Sequence, residues 1–331
     1  MGQATPTHEA TVEAVVVEEH ERLRLDVFLA EMVEDASRTF VQKLIKDGRV
    51  RVNGQECRKP SRRAALGDHI TATLPPPPRI QLEPEPIPIE VLYEDPELVV
   101  VNKPSGLVVH PAPGHYSGTL VNAILFRCPD FLRPGGDPVR PGVVHRLDQY
   151  TSGVMVVAKT PRAHACLGEQ AAAHRFERRY LALVRGEFRE LRGRIDAAIG
   201  RSTVDRKRMT VTGIRGKEAV THFEVLERFG VASLVALQLE TGRTHQIRVH
   251  LRFAGRPVLG DPVYGVTDFR DWHISPETRA ALQALEGQAL HAELLGIEHP
   301  ATLKRMTFTA PPPADFQRAL ETLRQATAAS E

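Results

Sequence analysis

Apolar residues at Leu25, Phe28, Leu29 and Met32 recur at i, i+3, i+4 and i+7, which predicts one face of a helix. A second helix follows, with Ser37 placed to cap it, Val41, Leu44 and Ile45 as its apolar stripe, and Gly48 to end it. The period then changes to two in Arg49-Val50-Arg51-Val52, a strand, and Asn53-Gly54 is a dipeptide that favours the positive φ of a hairpin turn. Farther on, Leu98-Val99-Val100-Val101-Asn102 is an unbroken apolar run, the pattern of a buried strand, stopped by Lys103-Pro104. Thr160 with Pro161 behind it opens a helix toward about His174. Strands are expected near 180–185, 217–227 and 232–240; Gly242 turns the chain, and a helix over about 244–254 closes at Gly255. Residues 306–309 read as the last strand, before Pro311-Pro312-Pro313 and a polar C-terminal helix. Helices and strands mix without strict βαβ alternation, so the expected fold class is α+β.

The same pattern divides the chain. Residues 1–20 start polar and carry no helical stripe, and are expected to be disordered. Residues 21–75 form a small α/β unit. Two proline-rich stretches, Leu74-Pro75-Pro76-Pro77-Pro78 and Glu83-Pro84-Glu85-Pro86-Ile87-Pro88, predict a stiff extended linker over 76–90, because proline fits neither a helix interior nor a central strand. A large domain over 91–313 and a helical tail over 314–331 complete the chain.

Composition narrows the class. At 331 residues, 42% hydrophobic and 25% charged, the chain resembles ordinary globular proteins and can fill a sizeable core. It has no run of about 18 apolar residues, so no membrane helix is expected. Its N-terminus lacks the basic start and apolar stretch of a signal peptide. Cys57, Cys128 and Cys166 are few and scattered, which fits a reducing cytoplasm and neither a disulfide framework nor a cysteine metal site.

The net charge of +2 says little; its distribution says more. Residues 37–63 hold nine Lys or Arg against two acids, Asp47 and Glu56. Most charge runs are only solvated faces. Here one sign persists through helix, strand and loop of a small unit, which suits a phosphate backbone. Arg38, Gln42, Lys43, Lys46 and Arg49 are the candidate RNA-binding residues.

Asp148 is the candidate for chemistry. It lies at the end of an apolar stretch, with Thr151-Ser152-Gly153 as turn formers and Val154-Met155-Val156-Val157 beyond, so it is expected on a turn between two strands. Such a carboxylate can equally cap its own turn. No HExxH, CxxC or GxxxxGK[ST] pattern occurs, and no cofactor or metal is expected.

His145-Arg146-Leu147-Asp148 with Thr151-Ser152-Gly153 resembles the second motif of the RluA/RluD-type RNA pseudouridine synthases. Lys103-Pro104-Ser105-Gly106-Leu107-Val108-Val109-His110-Pro111 is similar to their first motif, Arg179-Tyr180 to the tyrosine segment, and Thr241-Gly242-Arg243-Thr244-His245-Gln246-Ile247-Arg248 to the last. The span 24–74 resembles an S4 domain, a small RNA-binding module. These resemblances imply a mixed, largely antiparallel catalytic sheet. They imply Asp148 as the catalytic carboxylate, acting as nucleophile or as base, with Arg248 as its cation. Tyr180 and Ile247 would pack on the target base, Arg146 would help hold the flipped-out nucleotide or fill the space it leaves, and His145 would orient the turn. The implied partner is RNA, foremost large-subunit (23S) ribosomal RNA with tRNA as the alternative, and the implied form is a cytoplasmic monomer. Two rivals of other classes are an RNA-binding assembly protein without catalysis and a glycosidase-like hydrolase, which needs two opposed carboxylates; Asp205 and Asp261 are its only second candidates.

Overall fold

The computed structural model describes residues 10–33, 36, 38–75, 82–111, 116–129, 140–202, 205, 208–213 and 216–328. The chain divides into two compact units, Met1–Arg79 and Ile80–Glu331.

In the first unit, helices α1 (Leu25–Met32) and α2 (Arg38–Lys46) share a core with an antiparallel sheet in the order β1-β4-β2-β3. Its strands are β1 (Ala10–Val15), β2 (Val50–Val52), β3 (Gln55–Glu56) and β4 (His69–Leu74). Residues 10–20, expected to be disordered, are folded: β1 pairs along the whole of β4, from Ala10 opposite Leu74 to Val15 opposite His69. Its side chains stay largely in solvent, so backbone pairing rather than apolar patterning holds it, and the pattern does not announce it. Met32, placed on the apolar face of α1 by spacing, is exposed. The cap expected at Ser37 lies outside the described residues. Asn53 and Gly54 take φ of 53° and 78°, the values a tight hairpin between β2 and β3 requires.

The second unit is built on a nine-stranded sheet in the order β5-β6-β7-β14-β8-β13-β12-β9, with β15 beside β14. Its members are β5 (Glu90–Glu94), β6 (Leu98–Lys103), β7 (Ser152–Ala158), β8 (Glu177–Arg185), β9 (Arg192–Asp196), β12 (Val220–Arg228), β13 (Ala232–Leu239), β14 (Leu290–Glu298) and β15 (Arg305–Thr309). A separate pair, β10 (Ile199–Arg201) and β11 (Met209–Val211), lies between β9 and β12 in sequence. Every pairing in the large sheet is antiparallel except β7 with β14. It is thus mixed and largely antiparallel, an α+β architecture.

The apolar run of β6 is explained by cover on both faces. Val99 and Val101, with Met155 and Val157 of β7, enter one core with α3 (Leu120–Arg127); Leu98, Val100, Val154 and Val156 enter another with Leu167 of α4 (Pro161–Ala172). Thr160 caps α4 by accepting the N–H of Ala163. Helices α6 (Pro276–Gln283) and α7 (Ala314–Ala328) join Leu181 and Leu183 of β8 in a third core. Residues 82–89 do not behave as a free linker: Leu82 and Ile89 pack on the core, and Glu85 exchanges hydrogen bonds with Asn122 and Gly118. Among the described residues no helix is long and apolar enough to cross a membrane.

Where β7 meets β14 the backbones nearly touch. Gly153 has φ of 118°, and a Cβ there would lie 2.2 Å from the Ala292 carbonyl oxygen, so only glycine fits. The loop carrying Asp148 enters the sheet at this point.

Candidate active site

The stretch before Asp148 does not form the expected strand. Val143 makes a single bridge to Val157, and 144–148 are irregular. The ring of His145 supplies what a neighbouring strand would have supplied: its Nε2 accepts the N–H of Val156 at 3.1 Å. Burial, and then the charge of Arg178, push this imidazole down to about 3, so it is neutral at neutral pH. The turn also differs from expectation. It is formed at Gln149 and Tyr150, closed by Thr151 N–H to the Asp148 carbonyl at 3.1 Å, while Ser152 and Gly153 already belong to β7.

Beneath this turn lies Lys103, fully buried at the end of β6. Its ammonium donates to the carbonyls of Pro104, Leu107 and Gln149 at 2.8, 2.8 and 2.9 Å, stitching two loops together. Burial lowers it to about 7, against the opposing pull of the Asp148 charge.

Arg248 comes from α5 (Gln246–Phe253), where the sequence pattern expected a helix two residues longer at its start. The helix is locked by its polar residues. Gln246 accepts from Thr241 and Arg243 and donates to Val220 and Thr221, and His250 bonds Thr221 and Ala197. Arg248 is thereby aimed at two carboxylates. Its Nη1 meets Asp148 Oδ2 at 2.8 Å, and its Nε and Nη2 meet Asp261 at 2.7 and 2.9 Å. Burial alone would lower the guanidinium, but the hydrogen bonds and charges of both acids outweigh it and hold it above its ordinary value. Asp261, also buried, is held below the usual carboxylate range by Arg248 and by the N–H groups of Val263 and Tyr264. It cannot serve as a second catalytic acid, since its oxygens are fully engaged. Asp205 pairs with Arg208 and does not line the cleft. Among the described residues no second carboxylate borders the cleft with Asp148.

Asp148, Arg248, Tyr180, Ile247, Arg146 and His145 all border one cleft of about 520 Å³. Tyr180 and Ile247 are nearly buried and continue the main core to the cleft wall, with Leu147 and Leu290 beside them. Burial raises the Tyr180 phenol above its ordinary value, so it stays protonated at neutral pH. Arg146 is exposed at the edge. Three further residues were not singled out by sequence. Arg178 lies two positions before Tyr180 on β8 and so on the same face, and its buried Nε has no hydrogen-bond partner. Arg243 completes the cationic rim, and His245 lies beside it. Nothing in the sequence of β8 marks Arg178 apart from Glu177 and Arg179 beside it, and nothing local distinguishes Asp261 in its loop. Among the described residues no group of three His, Cys, Asp or Glu is placed to hold a metal.

The candidate RNA residues of the first unit divide into two groups. Arg38 and Gln42 point to Asp26, which is fully buried: Arg38 Nε and Gln42 Nε2 donate to Oδ2 at 3.0 and 2.6 Å, and Arg24 adds two more bonds. They hold the unit together rather than project as free cations. Lys43 and Lys46 are exposed on α2, and Arg49 is half-buried ahead of β2.

A cleft with apolar walls, one clamped carboxylate and a cationic rim, in a chain that also carries a small basic module, suits a polyanionic ligand. The sequence profile of RNA pseudouridylate synthases matches residues 97–253, and that of the S4 domain residues 23–70. The chain is 46% identical over 314 residues to the uncharacterized RNA pseudouridine synthase YlyB of Bacillus subtilis, covering 95% of this chain and 98% of that one. It is 44% identical over 311 residues to the ribosomal large subunit pseudouridine synthase D of Zymomonas mobilis, covering 93% and 96%. The human RNA pseudouridylate synthase domain containing 1 superposes with a TM-score of 0.54 at 29% identity, covering 68% of this chain and 84% of the other. The chain belongs to the RNA pseudouridine synthase family, and it is an isomerase with an N-terminal S4 domain.

Proposed function

We propose that the protein converts a uridine of large-subunit ribosomal RNA to pseudouridine, with Asp148 as the reacting carboxylate. The observation that carries this reading is the asymmetry of Asp148: Oδ2 is clamped by Arg248, whereas Oδ1 has no hydrogen bond among the described residues. A clamped carboxylate is held in place by its cation and keeps one oxygen free to act, at C1′ as nucleophile or at the sugar as base. The glycosidic C1′–N1 bond breaks, the uracil turns, and C1′ bonds to C5, which then loses its proton while N1 takes one up. Tyr180 and Ile247 offer apolar surface to the base, and Arg146, Arg178 and Arg243 offer charge to the flanking phosphates. The cost of unstacking the uridine, roughly a few kcal/mol, is offset by such phosphate contacts.

The choice of ribosomal RNA rests on the relatives named for it and on the S4 domain. A monomer in a reducing cytoplasm suits three cysteines that form no disulfide. Tritium release from RNA labelled at uridine C5 tests the chemistry: wild type should release label, and Asp148→Asn should release none while still binding RNA. Mapping pseudouridines in RNA of a deletion strain tests the substrate, and loss from tRNA alone would overturn the ribosomal assignment.

A further inference from the structure

His245 sits in a backbone conformation that side chains avoid. It is the N-cap of α5 with φ of 56° and ψ of 19°, in the left-handed region, and it borders the cleft. Such strain persists where surrounding structure enforces it, and it clusters at functional sites. Here Gln246 enforces it by anchoring the first turn of α5 to Arg243 on one side and β12 on the other.

The ring is fixed as firmly as the backbone. The Met209 N–H donates to Tyr264 Oη at 2.8 Å, and Tyr264 Oη lies 2.9 Å from His245 Nδ1. The contact with Nδ1 uses one proton, and with Met209 already donating to the phenol oxygen and no other acceptor for Tyr264 among the described residues, we assign that proton to the phenol. The ring's own proton therefore resides on Nε2. Burial lowers the imidazole's pKa further, against the opposing charge of Asp148, so this neutral tautomer persists at neutral pH.

Nε2 faces Asp148 Oδ1 at 3.9 Å, too far for a hydrogen bond. A donor and an acceptor thus confront each other across a gap. An atom at hydrogen-bond distance from both, about 2.7–2.9 Å, completes a triangle with roughly a right angle at that atom. It must accept from Nε2–H and donate to a carboxylate. A hydroxyl does both, as does the water that a bound substrate's hydroxyl would displace, whereas a carbonyl or phosphodiester oxygen can only accept. If Asp148 acts at C1′, the hydroxyl on the adjoining carbon is the one that reaches this gap.

We propose that His245 and Asp148 together hold the 2′-hydroxyl of the target ribose, so that His245 makes the site selective for a ribonucleotide at the reacting position. This inference rests on the reading of Asp148 given above. The 2′-hydroxyl is both donor and acceptor, and it is the group by which a protein can tell RNA from DNA. Tyr264 acts through His245 as a positioning residue.

The test uses the full-length protein and a synthetic RNA fragment containing a uridine that wild type converts. The fragment is made with either uridine or 2′-deoxyuridine at that position, and kcat/KM and equilibrium affinity are measured for both. Wild type should favour the ribose form by about tenfold or more, the loss expected for one hydrogen bond to a charged group. In His245→Leu the preference should fall to about twofold or less, since the ribose form loses its partner and the deoxy form has none to lose. His245→Gln, which carries an N–H of similar reach, should keep part of the preference. Tyr264→Phe should reduce it by freeing the tautomer, whereas damage that is merely structural would slow both substrates alike. A wild-type preference that survives in His245→Leu, or a wild type with no preference, overturns the proposal. Should His245→Leu fail to fold, the Gln and Tyr264→Phe ratios decide the matter. Failure of the underlying reading looks different, because Asp148→Asn would then remain active whatever the ratio.

Discussion

Arg248 binds two carboxylates with opposite parts of one guanidinium, Asp261 through Nε and Nη2 and Asp148 through Nη1. The two contacts are unequal in kind. The Asp261 pairing is bidentate and buried, so it fixes the plane of the guanidinium; the Asp148 contact is single and leaves that acid one free oxygen. Asp261→Asn should therefore misaim Arg248, although position 261 does not itself border the cleft. We expect kcat to fall at least tenfold with KM little changed, and stability to fall by about 3 kcal/mol, as when one partner of a buried pair is removed. Denaturant unfolding and steady-state kinetics on the same preparation check both. An unchanged kcat would mean that the aim of Arg248 does not depend on Asp261.

Replacing Arg248 separates charge from geometry. Arg248→Lys keeps a cation, but an ammonium cannot satisfy Asp261 in a planar bidentate contact and reach Asp148 as well. It should recover only a small part of the turnover lost in Arg248→Ala. Full activity in the lysine variant, measured by single-turnover conversion, would show that charge alone suffices.

Much of this architecture is legible in the sequence because one-dimensional patterns report on local structure. The β6 run, the Thr160-Pro161 helix start and the Asn53-Gly54 turn each carry their own physical reason. The motif resemblance gathers Asp148, Tyr180, Ile247 and Arg248 at one cleft, which no spacing could do. What stays hidden depends on pairing across the chain. Strand β14 sits at the centre of the sheet, yet its sequence alternates only over Leu290-His291-Ala292-Glu293-Leu294 before Leu295-Gly296 breaks the period, and it has no β-branched run. Asp261 reads as a turn residue until Arg248, 13 positions earlier, is seen against it. Arg38 and Gln42 look like a solvated basic face because Asp26, their buried acceptor, comes from another helix.

Lys103 predicts a pH dependence of stability. Its folded value, about 7, lies below the ordinary 10.5, so the unfolded chain binds more protons between those limits. Stability contributed at this site therefore rises as pH climbs from 7 toward 10, by up to roughly 3 kcal/mol, and is constant below that window. Lys103→Met removes this slope while leaving three carbonyls without a donor, so it should be less stable at every pH and flatter across the range. Parallel pH slopes of the unfolding midpoint in the two proteins would show that the ammonium keeps its proton throughout.

The basic module yields a prediction that separates binding from folding. Arg38 is engaged with the buried Asp26, so Arg38→Ala should cost about 1 kcal/mol of stability in the first unit and leave RNA binding nearly intact. Lys43, Lys46 and Arg51 are exposed, and none has an ion-pair partner among the described residues. Changing all three to Gln should leave stability unaltered and lower RNA affinity. The loss should be larger at low salt than at high salt, because each phosphate contact releases a counterion and steepens the fall of affinity with salt by about one logarithmic unit per unit of log salt. The triple variant should therefore show a slope shallower by up to about three. Chemistry at saturating enzyme should not change, since none of these residues borders the cleft. Equal salt slopes for wild type and the triple variant would mean that this face of α2 and β2 meets something other than a phosphate backbone.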